Sequence, residues 1–257
     1  MDTQQQEPFR ILLIGETCED VYLYGKVTRI SPEAPVPVLE YSYEESFVGM
    51  ASNVKLNLEA FGCCVNLITN KERIRKTRII HQDTNQQMMR IDEDVIVGPI
   101  KNSEVKSAFI HSTYDAIVVS DYNKGFLTID DLKVISQNFK GPVFIDTKKK
   151  DLFTENNTYF KINQKDFENL VTIPEDSNLI VTMGSVGAKH DNKIYPAQSV
   201  NVYDVVGAGD AFLAALTYGY LMYGDVGSGI TLANKVAGIV VQHPGTYSLT
   251  KEDILTL

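Results

Sequence analysis

Asp204-Val-Val-Gly-Ala-Gly-Asp210 joins a glycine-rich turn to two carboxylates and runs directly into the apolar stretch Ala211-Phe-Leu-Ala-Ala-Leu216. A turn of this kind opening a helix leaves the amides of Gly207, Ala208 and Gly209 converging on one point. The positive end of the helix dipole faces the same point. The arrangement suits an anion such as a phosphoryl group. Asp210, in the first helical turn, is placed to take a proton from an attacking hydroxyl. Together the two parts predict phosphoryl transfer from a nucleotide to an alcohol. A simpler reading stays open, that of a turn with an acidic residue at a helix start.

Such chemistry needs a frame, and the chain alternates strand-like and helix-like segments. Residues 10–14 read as a buried first strand ending at Gly15. Residues 54–61 read as a helix closed by Gly62. Strands are expected at 65–68, 116–120, 143–146, 159–162 and 179–182. The 116–120 segment is apolar almost throughout, as in a parallel sheet covered on both faces. Residues 128–139 read as a helix with Thr128 as N-cap. Further helices are expected after Asn163, Gly207 and Asp225. The alternation predicts an α/β fold with a doubly wound, mainly parallel sheet.

Two stretches break the pattern. Residues 21–43 contain Ser31-Pro-Glu-Ala-Pro-Val-Pro37, whose prolines confine them to edge strands or a loop. Residues 88–92 look like another strand. With no linker, repeat or low-complexity segment, the expectation is a single domain over 1–257. It carries a small β flap, or lid, from about 21–43 and 77–92.

Composition narrows the partners. The chain has 257 residues, 44% hydrophobic and 22% charged, with a net charge of -9. This acidic balance argues against broad nucleic-acid or membrane-surface binding. An anionic small substrate needs only local positive charge. Arg73-Ile-Arg-Lys-Thr-Arg78 is the one dense basic run, and a solvated loop is the plain alternative for it. No apolar run approaches the ~20 residues that span a bilayer. The N-terminus lacks the pattern of a signal peptide. A cytoplasmic location is therefore expected. Cys18, Cys63 and Cys64 lack framework or zinc spacing and read as reduced thiols.

Familiar phosphate motifs are missing. There is no Gly-x-x-x-x-Gly-Lys-Ser/Thr and no protein-kinase His-Arg-Asp set, so phosphoryl transfer here requires another architecture. No Gly-x-Gly-x-x-Gly follows the first strand, which weakens a dehydrogenase reading.

The 204–210 motif resembles the C-terminal signature of the ribokinase-like (PfkB) carbohydrate kinases. Within that family the closer likeness is to the D-glycero-D-manno-heptose 7-phosphate kinase domain, found alone or fused to a nucleotidyltransferase. Arg29-Ile-Ser-Pro-Glu-Ala-Pro-Val-Pro37, Asn85-Gln-Gln-Met-Met-Arg-Ile-Asp92, Ser120-Asp-Tyr-Asn-Lys-Gly125 and Leu232-Ala-Asn-Lys-Val-Ala-Gly238 carry it, over about 11–246. The resemblance implies a ribokinase-like fold. It implies transfer of the γ-phosphoryl of ATP, with Mg2+, to the anomeric hydroxyl of a heptose 7-phosphate. The product would be the 1,7-bisphosphate, on the way to nucleotide-activated heptose for surface polysaccharide such as lipopolysaccharide. Asp210 would be the base, and Gly207, Ala208 and Gly209 the anion hole.

Other roles follow from the same resemblance. Asp20, Gly49 and Asn53 match sugar-binding positions. Asp20 and Asn53 also fit a loop acid and a helix-surface amide. Asn163 and Asp166 match the Asn-x-x-Glu element that organises magnesium, Asp166 indirectly through water. Thr182, Gly184 and Gly187 lie beside the nucleotide, and Asn234 near the adenine. Asp121 and Lys124 sit at a strand end where open α/β sheets host ligands. Lys124 fits either phosphate or solvent. Arg90 fits either a phosphate or pairing with Asp92. Flaps of this family commonly pair two subunits, so a homodimer is expected.

Three departures stand out. Val48-Gly49 replaces paired glycines. Asp166 replaces glutamate, with Glu168 near enough to substitute. Only residues 70–76 stand where the family has a helix and a strand, a unit of about thirty residues. An acceptor other than heptose, or a non-catalytic sugar- or nucleotide-binding relic, are the alternatives these departures raise.

Overall fold

The computed structural model describes residues 7–93, 95–101 and 113–257. The main sheet has eight strands: β1 (Arg10–Gly15), β4 (Cys64–Ile68), β7 (Ala116–Asp121), β8 (Val143–Thr147), β9 (Thr158–Asn163), β10 (Leu179–Thr182), β11 (Ala188–His190) and β12 (Lys193–Tyr195). Their spatial order is β12-β11-β10-β9-β8-β7-β1-β4. Pairing is parallel from β4 to β10, and the β10-β11-β12 end is antiparallel.

Strand periodicity splits the core into two layers. Ile11, Leu13, Ala116 and Val118 face α1 (Ala51–Ala60), α4 (Ala208–Tyr223) and α5 (Val226–Val240). Leu12, Ile14, Ile117 and Val119 face the side of α2 (Ile129–Asn138). All six residues of β7 are buried, as its apolar sequence predicts for a central strand. Thr128 caps α2 through a reciprocal capping box with Asp131. The helices expected after Asn163, Gly207 and Asp225 are α3 (Gln164–Phe167), α4 and α5. A short α6 (Lys251–Leu255) closes the chain.

The lid is a second, four-stranded sheet in the order β3-β2-β5-β6. It is built from β2 (Thr17–Ile30), β3 (Pro37–Met50), β5 (Arg75–His81) and β6 (Gln86–Glu93). β2 and β3 are longer than the sequence suggested. The prolines collect in the tip between them, and Pro37 opens β3, where a missing N–H costs no ladder bond. The basic run that also fitted a solvated loop is mostly strand β5, paired with β2 on one side and β6 on the other. Pairing on both edges overrides the preference of its charges for solvent.

Glu16 alone separates β1 from β2, so the lid grows directly out of the main sheet. From β4 the chain passes into the lid through residues 69–74, with no helix between. Asn70 braces this crossing, accepting from the Thr17 amide (2.7 Å) and donating to the Glu72 carbonyl (2.6 Å). The β11-β12 hairpin was not anticipated. Its turn residues Asp191 and Asn192 both have positive φ, the backbone of a type I′ turn. Cys18, Cys63 and Cys64 are free thiols. Burial pushes Cys18 and Cys63 up to about 12. No described helix is long and apolar enough to cross a membrane.

Candidate active site

Helix α4 starts where the sequence placed it. Gly207 is its N-cap in the left-handed region at φ 79°, a conformation that favours glycine, and no side chain caps the helix. The Ala208 amide is engaged in the turn, donating to the Val205 carbonyl (3.3 Å). Asp204 has a scaffolding part. Its carboxylate accepts from the Val206 amide (3.0 Å) and from the Gly245 amide (3.0 Å), tying the turn to the 245–248 loop.

Asp210 is buried and accepts two hydrogen bonds. Tyr122 Oη donates to one carboxylate oxygen (2.9 Å), and Asn53 Nδ2 to the other (3.1 Å). Burial pushes its carboxyl up to about 6, against the two hydrogen bonds; Asp146 adds to the rise and Lys161 opposes it. Asn53 is held on α1, with Oδ1 accepting from Asn57 Nδ2 (3.1 Å) and Ser248 Oγ (3.0 Å). Asn53 and Asp210 thus come together in the site.

Asp20, also buried, stands on β2 of the lid. It accepts from Arg78 Nη1 (2.5 Å) on β5 and from Thr246 Oγ1 (3.3 Å). Gly49 on β3 lies against it: a Cβ there would sit 2.2 Å from Asp20 Oδ2. The Arg78 guanidinium also lies 5.1 Å from the Tyr22 ring. Lys76, two residues earlier and so on the same face, stands 5.3 Å from the Tyr122 ring. Arg90 is directly opposite Arg78 on β6, and its guanidinium grips Asp92 by two bonds (2.7 and 2.8 Å).

Asp121 is not presented to the cleft. Its carboxylate is consumed by Thr147 Oγ1 (2.5 Å), Lys149 Nζ (3.1 Å) and the Asn123 amide (2.9 Å). It shapes the 121–125 turn. Lys124 donates its amide to the buried Glu16 (2.9 Å), which pins the same turn to the root of the lid.

Beyond the helix start, a cavity of about 350 Å³ is lined by Thr182, Gly184, Gly187, Ala208, Gly209 and Asn234, among others. Gly187 has φ 108°, and a Cβ there would fall 2.0 Å from the Tyr195 carbonyl oxygen. Asn234 spends its amide on the Tyr195 carbonyl (2.8 Å), fixing one wall. Asn163 caps α3 by accepting from the Asp166 amide (2.8 Å). Asp166 Oδ2 accepts from Asn163 Nδ2 (2.8 Å) and Lys148 Nζ (2.5 Å). Glu168 is engaged instead with Gln164 (2.9 Å) on the exposed side of α3.

Sequence reasoning missed several groups. Lys161 on β9 is buried and paired with Asp146 on β8 (2.6 Å). Its Nζ lies 3.0 Å from where a Cβ on Gly209 would stand, beside the helix start. A lysine within Thr-Tyr-Phe-Lys-Ile-Asn reads only as strand, and its partner becomes visible once β8 and β9 are paired. Tyr122 and Glu16 were missed for the same reason.

The fold and site define a class: a mainly parallel α/β protein with a β lid over a cleft, a buried aspartate and an uncapped helix start. The pfkB family carbohydrate kinase pattern matches residues 151–253. Bifunctional protein HldE of Nitratiruptor sp. is 32% identical over 297 residues, covering 95% of this chain and 64% of that relative. Bifunctional protein HldE of Campylobacter jejuni strain RM1221 is 32% identical over 300 residues, covering 97% and 64%. The chain therefore spans just under two thirds of these relatives' length. Both alignments are longer than the chain itself, so the relatives carry residues with no counterpart here. Arabidopsis thaliana ribokinase complexed with ribose and ATP superposes with TM-score 0.69 at 12% identity, covering 97% of this chain and 98% of that one. Escherichia coli phosphofructokinase-2 gives TM-score 0.70 at 12% identity, with 97% of each chain covered. The chain thus resembles the pfkB carbohydrate kinases, by pattern over residues 151–253 and by likeness to these relatives along most of its length.

Proposed function

We propose that this kinase transfers the γ-phosphoryl group of ATP to the anomeric hydroxyl of a heptose 7-phosphate. The observation that carries the reading is that Asp210 and Asp20 are held by one loop, close to the basic residues of the lid. Ser248 and Thr246, on one loop, reach Asn53 and Asp20 respectively, so the two carboxylates share a frame. Asp20 is suited to sugar hydroxyls, since a carboxylate accepts from two at once. Arg78 and Arg90 stand directly opposite each other with Lys76 beside them. Asp20 already pairs with Arg78 and Asp92 with Arg90. A guanidinium has five donors, so the remaining ones, with Lys76, can still hold a sugar's own phosphate, which favours a sugar phosphate over a neutral sugar.

In the transfer, the sugar oxygen forms a bond to the γ-phosphorus while the bridging bond to ADP breaks. The hydroxyl proton passes to Asp210. Gly207, Gly209 and Lys161 face the transferred group and offset its charge. The cavity lined by Thr182, Gly184, Gly187 and Asn234 fits the nucleoside end. No described cluster of three or more His, Cys, Asp or Glu side chains could hold a metal ion. One carboxylate suffices for Mg2+ that keeps its waters and takes phosphate ligands. Asp166 would reach it through water, on exchanging Lys148, and bound Mg2+ would neutralise the nucleotide phosphates. Two copies pair through the lid, and a separate nucleotidyltransferase acts on the product, a reading supported by the bifunctional relatives.

The test is phosphoryl transfer from ATP with Mg2+ to D-glycero-D-manno-heptose 7-phosphate, with Asp210→Asn alongside. Turnover that falls by ~100-fold or more in the variant, with nucleotide binding kept, supports the reading. Turnover on another sugar phosphate only would reassign the acceptor. Ligand binding with no turnover in either protein would make this a binding relic.

A further inference from the structure

Tyr122 occupies a position that the transfer chemistry alone does not explain. It follows β7 in a turn whose backbone is pinned from below. Fully buried Glu16 accepts from the Tyr122 amide (2.8 Å) and from the Lys124 amide (2.9 Å). The side chain then meets two different elements. Its hydroxyl donates to Asp210 on the main domain (2.9 Å). Its face lies 5.3 Å from Lys76 Nζ on lid strand β5. An ammonium at this distance is attracted by the ring quadrupole.

We propose that Tyr122 is a positioning residue of the transfer: it orients the Asp210 carboxylate and couples that carboxylate to the lid through Lys76. The inference rests on Asp210 being the base. A carboxylate has room for further donors, so the Tyr122 bond leaves an acceptor site for the sugar hydroxyl. It restricts rotation of the carboxylate, so that the free lone pair stays aimed at the cleft. With the lid down, Lys76 holds the ring and the ring holds the base. With the lid displaced, that support is released, and the base is set for proton transfer only when the site is covered.

The charged and titratable groups around Asp210 come from several elements. Asp146 on β8 and Lys161 on β9 act on it, as do Cys18 on β2 and Lys148 beyond β8. Tyr122→Phe removes one donor and leaves all of these in place. Loss of a hydrogen bond to the charged form raises a carboxyl's pKa.

The experiment follows the Asp210 carboxyl carbon by NMR titration of aspartate-labelled protein, with Asp210→Asn assigning the resonance. Tyr122→Phe is expected to raise that midpoint by about one unit. It is expected to lower kcat while leaving KM for ATP unchanged. Phenylalanine keeps the ring, and the melting temperature checks that the fold is intact. Lys76→Met is then made in both backgrounds. Its effect on the midpoint is expected to be smaller in the Tyr122→Phe background than in the wild type, since only the tyrosine carries the link. An unshifted midpoint in Tyr122→Phe would overturn the positioning role. Equal Lys76→Met shifts in both backgrounds would overturn the lid coupling. Full activity in Asp210→Asn would instead reject Asp210 as the base, and the titration tells these failures apart.

Discussion

Asn53 and Asp210 are 157 residues apart in sequence and joined by a 3.1 Å hydrogen bond. The bond locks helix α1, at the root of the lid, to the first turn of α4. Asn53 cannot turn away, because its oxygen is held by Asn57 and Ser248. The Asp210 carboxylate is therefore fixed by the packing of two helices rather than by its own loop. Asn53→Leu is expected to leave Asp210 with Tyr122 as its remaining donor and to raise the acid limb of the kcat/KM profile. A pH-rate profile that does not move would show that Asn53 only packs.

The Asp210 carboxyl is pushed up to about 6 from an ordinary 3.8, chiefly by burial. The native state thus holds a proton that the unfolded chain releases between about pH 4 and pH 6. Folded stability contributed by this group is present at low pH and is lost as pH rises through that window. The Asp210→Asn variant carries no such dependence. The stability of wild type relative to that variant should therefore fall across pH 4–6, by on the order of a few kcal/mol. Urea denaturation of both proteins at several pH values measures it. A difference that is flat or rises with pH would mean that Asp210 is ionised throughout.

Much of this site was legible in the sequence because its key turn is local. Gly207 must adopt positive φ and Asp210 must follow within a helical turn, so spacing alone revealed both. The strands of the main sheet were legible because burial on both faces leaves long apolar runs such as that of β7. What stayed hidden depends on distant pairing. Lys161 faces Asp146 only because β8 and β9 lie side by side, and Arg78 reaches Asp20 only because β5 pairs with β2. The dense charge of β5 resembled a solvated loop, since alternation is blurred when one strand face is itself basic. Asp121 read as a ligand-facing acid because it ends a buried strand. Its partners Thr147 and Lys149, at and just past the end of β8, join Asn123 in turning it into a brace for the turn that carries Tyr122.

Gly49 lies where a side chain would strike Asp20. A Cβ on it would fall 2.2 Å from Asp20 Oδ2 and 2.8 Å from Cys18 Sγ. Gly49→Ala should force Asp20 off Arg78 and raise KM for the sugar by about tenfold or more, on the order of 1.4 kcal/mol. ATP binding, at the other end of the cleft, should be unchanged. Equal weakening of both substrates would point to general unfolding of the lid instead.

Lys161 and Asp146 form an ion pair beside the start of α4. Removing one partner of such a pair leaves an uncompensated charge, at a cost of about 3–5 kcal/mol when fully buried. Asp146 keeps 14% of its side chain exposed, so Lys161→Met should fall toward the lower end of that range. The double variant Lys161→Met with Asp146→Leu should recover most of the stability, because apolar side chains replace the pair. It should not recover turnover, since the cation beside Gly209 is gone. Denaturation and steady-state kinetics of the three proteins separate the two effects. Turnover restored along with stability would make Lys161 a structural residue and remove it from phosphoryl transfer.

The edge strands of the lid expose large apolar side chains. Tyr41, Tyr43, Phe47 and Val48 on β3, with Met89 and Ile91 on β6, are all exposed. Both strands are the edges of their sheet, so backbone groups are unpaired beside those side chains. A second copy laid lid to lid would cover both. Light scattering across the micromolar range should give a dimer for the wild type. Met89→Lys together with Ile91→Lys, which share one face of β6, should shift it to monomer, because charges on a covered face are costly to bury. A monomeric wild type at these concentrations would leave the lid as a cover for its own cleft alone.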